Sequence, residues 1–303
     1  MQSTSLRSTN AMTDGSNVAR ATTRTKLILL GTKGGPRPGG DRSAPGQVIL
    51  VDDTPYLIDC GNGIAWQLAK AGVPLNKVRN LFLTHHHSDH NADYANVLLL
   101  SWACGRSDVI NCYGPPPLAE MTRLAFELHA YDIGIRIADE GRPDPRPLVK
   151  VREYSAPGLV MEDDKVRVTA ALVPHPPVFP NFAYRFDTPD RSIVISGDTA
   201  ASDALVELAR GADVLIHEAL YVPRIEALAA RVPNAQTFKE HMLASHTPTT
   251  EIGKIAARAG VKTLILSHLV PGDDPLITDE MWTEDIRKDF AGEVIVGRDL
   301  MEF

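Results

Sequence analysis

The chain has 303 residues, 44% hydrophobic and 23% charged, with a formal net charge of −7. That composition suits a soluble globular protein with a sizeable core, and the negative balance argues against a polyanion held by the bulk field. No apolar run approaches a membrane span of ~18 residues. Cys60, Cys104 and Cys112 contain no C-x-x-C pair, so no disulfide framework is expected and a reducing, cytoplasmic setting fits.

Residues 1–24 are rich in Ser, Thr and Asn and lack an apolar h-region. They read as a disordered leader, with an organelle transit peptide as the alternative. Residues 25–303 read as one domain. The run Lys26-Leu27-Ile28-Leu29-Leu30 predicts a buried strand, and the Gly/Pro-rich GTKGGPRPGGDRSAPG after it predicts a loop. Strands at 48–51 and 56–59 flank Asp52-Asp53-Thr54-Pro55, a hairpin signal. IAWQLAKAG reads as a helix stopped by Gly72. A short strand, NLFLT, then leads into a histidine-rich segment.

The second half has the same texture. Strands are expected at 166–173, 182–186, 192–196, 214–217 and 263–267. Helices are expected from Asp203 to Arg210 and after a Thr249 or Thr250 cap, with Ile252, Ile255, Ala256 and Ala259 on one face. Strands with intervening helices in two similar halves predict a layered α/β domain.

The segment LTHHHSDH at 83–90 carries the chemistry. Residues two apart on an extended chain point the same way, so His85 and His87 can share one metal. A turn after Ser88 brings Asp89 and His90 to a second position. Imidazole and carboxylate are ordinary ligands of catalytic zinc. A packed core would have to hydrogen-bond every one of these groups.

HHHSDH matches the H-x-H-x-D-H motif of the metallo-β-lactamase fold superfamily. LLGTKGG, LIDCGNG, INCYGPP, SGDT, LIHEALY, ASHT and LILSH follow the family's blocks in order. The nearest branch resembles ribonuclease Z and its arylsulfatase-like relatives. The resemblance implies a four-layer αβ/βα sandwich of two mixed β-sheets flanked by helices. It implies two Zn²⁺ per chain, with Mn²⁺ or Fe²⁺ as possible substitutes. His85, His87 and His175 would hold one ion, Asp89, His90 and His268 the other, and Asp198 would bridge them. Asp89, Glu218 and His246 are the catalytic candidates, with Glu218 and His246 as a proton-donating pair. Asp59 is a candidate to orient a ligating histidine. A homodimer is also implied.

A metal-bridging hydroxide would attack the ester. Two zinc ions, two aspartates and that hydroxide sum formally to about +1, which suits a monoanion. The ribonuclease Z tRNA arm lies between the counterparts of His175 and Asp198, but here PPVFPNFAYRFDTPDRSIVISG fills the interval and leaves no room for it. The expected substrate is therefore a small anionic ester, aryl sulfate or phosphodiester. The alternative is tRNA 3′-processing without the arm, and β-lactam or lactone hydrolysis is third. Nucleic acid is possible but not favoured as partner, and no membrane is expected. Loops 33–46, 102–108, 176–181 and 223–245 are the candidates to select the substrate, and EALAARVPNAQTFKEHM within the last reads as a lid or a dimer helix. Trp102, Phe179 and Phe238 are candidates for either a pocket or the core.

Overall fold

The computed structural model describes residues 25–233 and 235–303. The leader read at 1–24 lies outside the described residues. The first sheet runs β1 Thr25–Gly31, β2 Gly46–Val51, β3 Thr54–Ile58, β4 Asn80–Phe82, β5 Ile110–Gly114 and β6 Val149–Glu153, in that spatial order. The first three strands pair antiparallel and the rest parallel. Helices α1 Ile64–Lys70, α2 Ser88–Asn91, α3 Tyr94–Ala103, α4 Leu118–Leu128 and α5 Ala130–Glu140 belong to this half.

The second sheet is ordered β13-β12-β11-β10-β9-β8-β7. Its strands are β7 Gly158–Glu162, β8 Arg167–Leu172, β9 Phe182–Asp187, β10 Ser192–Ile195, β11 Val214–Leu220, β12 Thr263–Val270 and β13 Glu293–Val296. It too begins antiparallel and ends parallel. Its helices are α6 Asp203–Leu208, α7 Ile225–Ala229, α8 Phe238–Ser245, α9 Thr249–Ala259, α10 Asp279–Thr283 and α11 Ile286–Asp289.

Side chains alternate across a strand, and both faces of these sheets are covered. On β1, Leu27 and Leu29 enter the core between the sheets with Phe82, Phe182, Tyr184 and Ile216. Ile28 and Leu30 face the other way, into a core shared with α1 and α3 residues such as Leu68 and Val97. The outer face of the second sheet packs Leu215 and Leu264 on Ile252, Ala256 and Ile286. Each fully buried large aliphatic side chain contributes roughly 1.5–3 kcal/mol. The result is helix, sheet, sheet, helix: the expected four layers. The free edge of β1 is covered by the C-terminal segment, with Leu27 N–H donating to Phe303 O at 3.0 Å and Phe303 N–H to Leu27 O at 2.9 Å.

Several boundaries differ from expectation. The hairpin turn is Asp52-Asp53 alone, both at positive φ, and Thr54 and Pro55 already belong to β3. Neither threonine caps α9; Pro248 is its N-cap and no side chain bonds there. Strands β11 and β12 run three residues beyond the predicted ends, which places Glu218 and His268 inside strands.

Candidate metal centre

The parallel strands end along one rim, and the candidate residues gather there. His85 and His87 follow β4, and Asp89 and His90 lie in the one-turn helix α2. His175 follows β8 and Asp198 follows β10. In β12, Ser267 pairs with Glu218 and Leu269 with Ala219, which leaves His268 as a bulged residue at φ 45°. A bulge re-aims a side chain, and this one turns the His268 ring toward the aspartates. The ring also needs Gly34: a Cβ there would lie 2.7 Å from His268 Nδ1.

The seven expected ligands form two clusters that share Asp198: His85, His87, His175 and Asp198, then Asp89, His90, Asp198 and His268. In the first, His87 Nδ1 is 3.0 Å from His85 Nε2 and 3.1 Å from His175 Nε2. Asp198 Oδ2 is 3.9 and 3.8 Å from those two Nε2 atoms. In the second, His90 Nε2 is 3.2 Å from Asp198 Oδ1, and His268 Nε2 is 3.1 Å from Asp198 Oδ2 and 3.3 Å from Asp89 Oδ2. A tetrahedron with bonds of about 2.0–2.1 Å sets its ligand atoms roughly 3.3–3.4 Å apart. The donor sets therefore fit divalent ions.

Three further observations support that fit. His90 Nε2 and Asp198 Oδ1 are buried and find no hydrogen-bond partner among the described residues. On His85, His90 and His175 the far ring nitrogens meet hydrogen-bond partners, which turns the lone pairs of the near ones inward. His90 Nδ1 donates to Asp59 Oδ2 at 2.8 Å, and His175 Nδ1 to Ser245 O at 2.8 Å. His85 Nδ1 lies 3.0 Å from Thr84 Oγ1, which itself donates to Asp59. Asp59 thus orients a candidate ligand, as expected.

The third observation is electrostatic. Burial holds His85 and His87 below the usual imidazole range and pushes His175 down to about 4, so these rings are neutral and free to coordinate. Burial also opposes charge on His90 and His268. Around His90 the Asp198, Asp59 and Asp89 carboxylates outweigh it; around His268 Asp198 and Asp89 do, raising it to about 10. The carboxylates around the second cluster thus favour positive charge there.

Glu218 and His246 lie beside it. Glu218 Oε1 accepts from His246 Nδ1 at 3.0 Å, Thr199 N–H at 2.9 Å and Thr247 N–H at 3.2 Å. Burial lowers His246, but Glu218 outweighs it and raises the ring above its usual range. The ring stacks near His268, centroids 5.6 Å apart, and lines the pocket in front of the clusters.

That pocket holds about 340 Å³. Leu228 of α7 and Phe238 and Met242 of α8 form an apolar wall of the pocket. Phe238 lines the pocket, whereas Trp102 packs on Phe126 and Ile133 and Phe179 is exposed. His241, given no ligand role from the sequence, and Lys33, in the candidate loop 33–46, both line the pocket. The signal for Lys33 was a lone lysine among glycines directly after a buried strand. His86 and His217 take no part in the clusters: His86 meets Pro115 O and His217 meets Glu218 O.

A family described as the beta-lactamase superfamily domain matches residues 54–269. Ribonuclease Z of Mycobacterium bovis (strain BCG / Pasteur 1173P2) is 33% identical over 278 residues, 91% of this chain and 96% of the relative. Ribonuclease Z of Mycobacterium tuberculosis (strain ATCC 25618 / H37Rv) is 32% identical, with the same coverage. Among solved structures, the metallo-beta-lactamase fold protein YhfI from Bacillus subtilis has a TM-score of 0.68 at 21% identity, covering 92% of this chain and 98% of that one. The short form of human tRNase Z has a TM-score of 0.66 at 21% identity, with the same coverage. At those identities the two structures speak for the fold alone. The fold and the relatives together define a metal-dependent hydrolase acting on ester bonds. More narrowly, the chain belongs to the metallo-β-lactamase superfamily, in its ribonuclease Z branch. The comparisons give no support to aryl sulfate as first substrate; they favour the alternative, RNA processing.

Among the described residues, no helix is long and apolar enough to cross a membrane.

Proposed function

We propose that this protein is a dinuclear zinc phosphodiesterase that cleaves RNA near a 3′ end, in the manner its ribonuclease Z relatives are named for. His85, His87, His175 and Asp198 would hold one ion, and Asp89, His90, His268 and Asp198 the other. Such ions supply Lewis-acid stabilisation of a phosphoryl oxygen and make water a competent nucleophile near neutral pH. The chain's own residues do the rest. Asp59, Thr84 and Ser245 keep the ligand histidines in the coordinating tautomer. The observation that carries the reading is His246, fixed at Nδ1 by Glu218, with its other edge left to the pocket beside both clusters. As the oxygen of water bonds to phosphorus and releases a proton to solvent, the bond to the departing oxygen breaks and His246 supplies that oxygen with a proton, to be recharged from solvent. Glu218 stabilises the charged ring beforehand.

A second reading, a small phosphodiester or aryl sulfate, is favoured by the interval from His175 to Asp198, which forms only β9, β10 and their connections. A homodimer is supported by α4 and α5, which leave Leu124, Leu128, Tyr131 and Ile135 exposed. The deciding experiment incubates zinc-loaded protein with a precursor tRNA bearing a 3′ trailer, with bis-p-nitrophenyl phosphate and with p-nitrophenyl sulfate. Trailer release at a defined position, absent in Asp198→Ala, supports the reading. Turnover of the chromogenic esters without cleavage of the tRNA overturns it in favour of the second.

A further inference from the structure

The net charge of −7 is at odds with a nucleic acid substrate, so the local distribution of cations matters more than the sum. Two basic residues line the pocket, Lys33 and Arg37, both from the loop after β1. Among the described residues neither has a carboxylate within 4.0 Å. The acid beside them, Asp273, is already held by Arg231, with Arg231 Nη1 donating to Oδ1 at 3.0 Å and Nη2 to Oδ2 at 2.5 Å. Arg37 Nη1 donates to Arg231 O at 3.2 Å.

Lys33 is the more telling of the two. It is only 5% exposed, and its ammonium donates to one acceptor, the Arg37 carbonyl. An ammonium carries three donors, and a buried one without an ion pair is unfavourable unless something else supplies the charge. Its backbone bridges to Leu269, next to His268, and the loop reaches on to Asp89, whose Oδ2 accepts from Gly35 N–H at 2.9 Å. The two cations therefore stand beside the metal clusters but outside them. The apolar wall with Phe238 completes the pocket. Cations without an ion-pair partner beside an apolar wall with one aromatic ring, Phe238, resemble the arrangement that holds single-stranded nucleic acid, phosphate on one side and base on the other.

We propose that Lys33, assisted by Arg37, binds the phosphate adjoining the scissile linkage of a single-stranded RNA end, and so selects a polyanionic chain over a lone ester. This deepens the proposed function and rests on it. Lys33 is a specificity residue in this account, one step removed from the reacting atoms.

The test compares Lys33→Met, Lys33→Arg and Arg37→Gln in zinc-loaded protein whose melting temperature has been matched to wild type. Binding of a short fluorescein-labelled, phosphorothioate-substituted single-stranded RNA is followed by anisotropy over a salt series. K33M is expected to weaken binding about tenfold and to flatten the slope of log K against log salt by about 0.7, the value for one phosphate contact on a single strand. K33R should recover most of both, and R37Q should show a smaller change of the same sign. On turnover, the loss in kcat/KM for K33M should be about tenfold larger on the oligonucleotide than on bis-p-nitrophenyl phosphate, which has one phosphate. An unchanged salt slope, or equal losses on the two substrates, overturns the assignment. Lysine-dependent binding of RNA that is never cut leaves the subsite standing and overturns the proposed reaction instead.

Discussion

His90 and Asp59 are joined at 2.8 Å, Nδ1 to Oδ2, in a contact buried from solvent on both sides. Asp59 sits at φ 59° and also accepts from Thr84 N–H at 2.8 Å, so it is fixed before any ion arrives. Loss of such an outer hydrogen bond usually costs about 10–100-fold in metal affinity or activity. Asp59→Asn should weaken the ion of the second cluster by that factor. Titration with a zinc indicator should show the larger shift at that site and a smaller one at the His85, His87 and His175 site, which Asp59 reaches only through Thr84. Equal weakening of both sites would mean that Asp59 supports the whole rim.

Asp198 belongs to both clusters. Asp198→Ala should lower the zinc content measured by plasma mass spectrometry from two ions per chain to one or none. Hydrolysis should fall by about a thousandfold or more, roughly 4 kcal/mol of transition-state stabilisation. Two tightly held ions in the variant would refute the bridging role.

His246 and Glu218 should separate substrates by leaving group. His246→Ala would remove the proposed proton donor, a role typically worth about 10²–10⁴-fold. The full loss is expected on RNA, whose departing oxygen needs a proton, and a much smaller one on p-nitrophenyl esters. Glu218→Gln should follow the same pattern more weakly. Equal losses on both substrates would show that the pair holds the fold or the ions and donates no proton.

Gly34 cannot become alanine without displacing something. A Cβ there would lie 2.4 Å from Val270 Cγ2 and 2.7 Å from the His268 ring. Overpacking of this kind costs about 1–3 kcal/mol. Gly34→Ala should lower the melting temperature by several degrees and loosen zinc at the second cluster. A variant that melts and binds zinc as wild type does would show that the loop can retreat.

Leu128 and Tyr131 are 76% and 83% exposed, at the junction of α4 and α5. If that face pairs two copies, Tyr131→Glu should shift the mass measured by light scattering from dimer to monomer. A wild-type chain that is monomeric at every concentration would end the idea.

Much of the site was legible because its chemistry is local. The motif at 85–90 lies on a strand end and a single helical turn, and short-range periodicity captures both. Asp198, Glu218 and His246 needed the family's order of blocks, since no local rule distinguishes them from capping or pairing residues. The bulge at His268 was hidden, because it arises from register against β11 and not from any residue that favours it. The burial of Lys33 was hidden for the same kind of reason: the strand-like bridge to Leu269 draws it inward. Helices α3 to α5 were not among the expected elements. The preference for aryl sulfate rested on the short interval after His175, the net negative charge and a monoanion-suited metal shell, none of which specifies the bond being cut.

The ligands are drawn from both halves of the sandwich. His85, His87, Asp89 and His90 come from the first sheet's side, and His175, Asp198 and His268 from the second's. An ion bound here is therefore also a rivet between two sheets that otherwise meet through apolar contacts and a few hydrogen bonds such as Phe182 N–H to Thr84 O and Tyr184 Oη to Leu83 O. Neither half can assemble the seven donors alone, so loading must wait until the halves have docked. Zinc uptake during refolding should then trail the collapse of the core, and a chelator should loosen the seam between the sheets before it unravels either one.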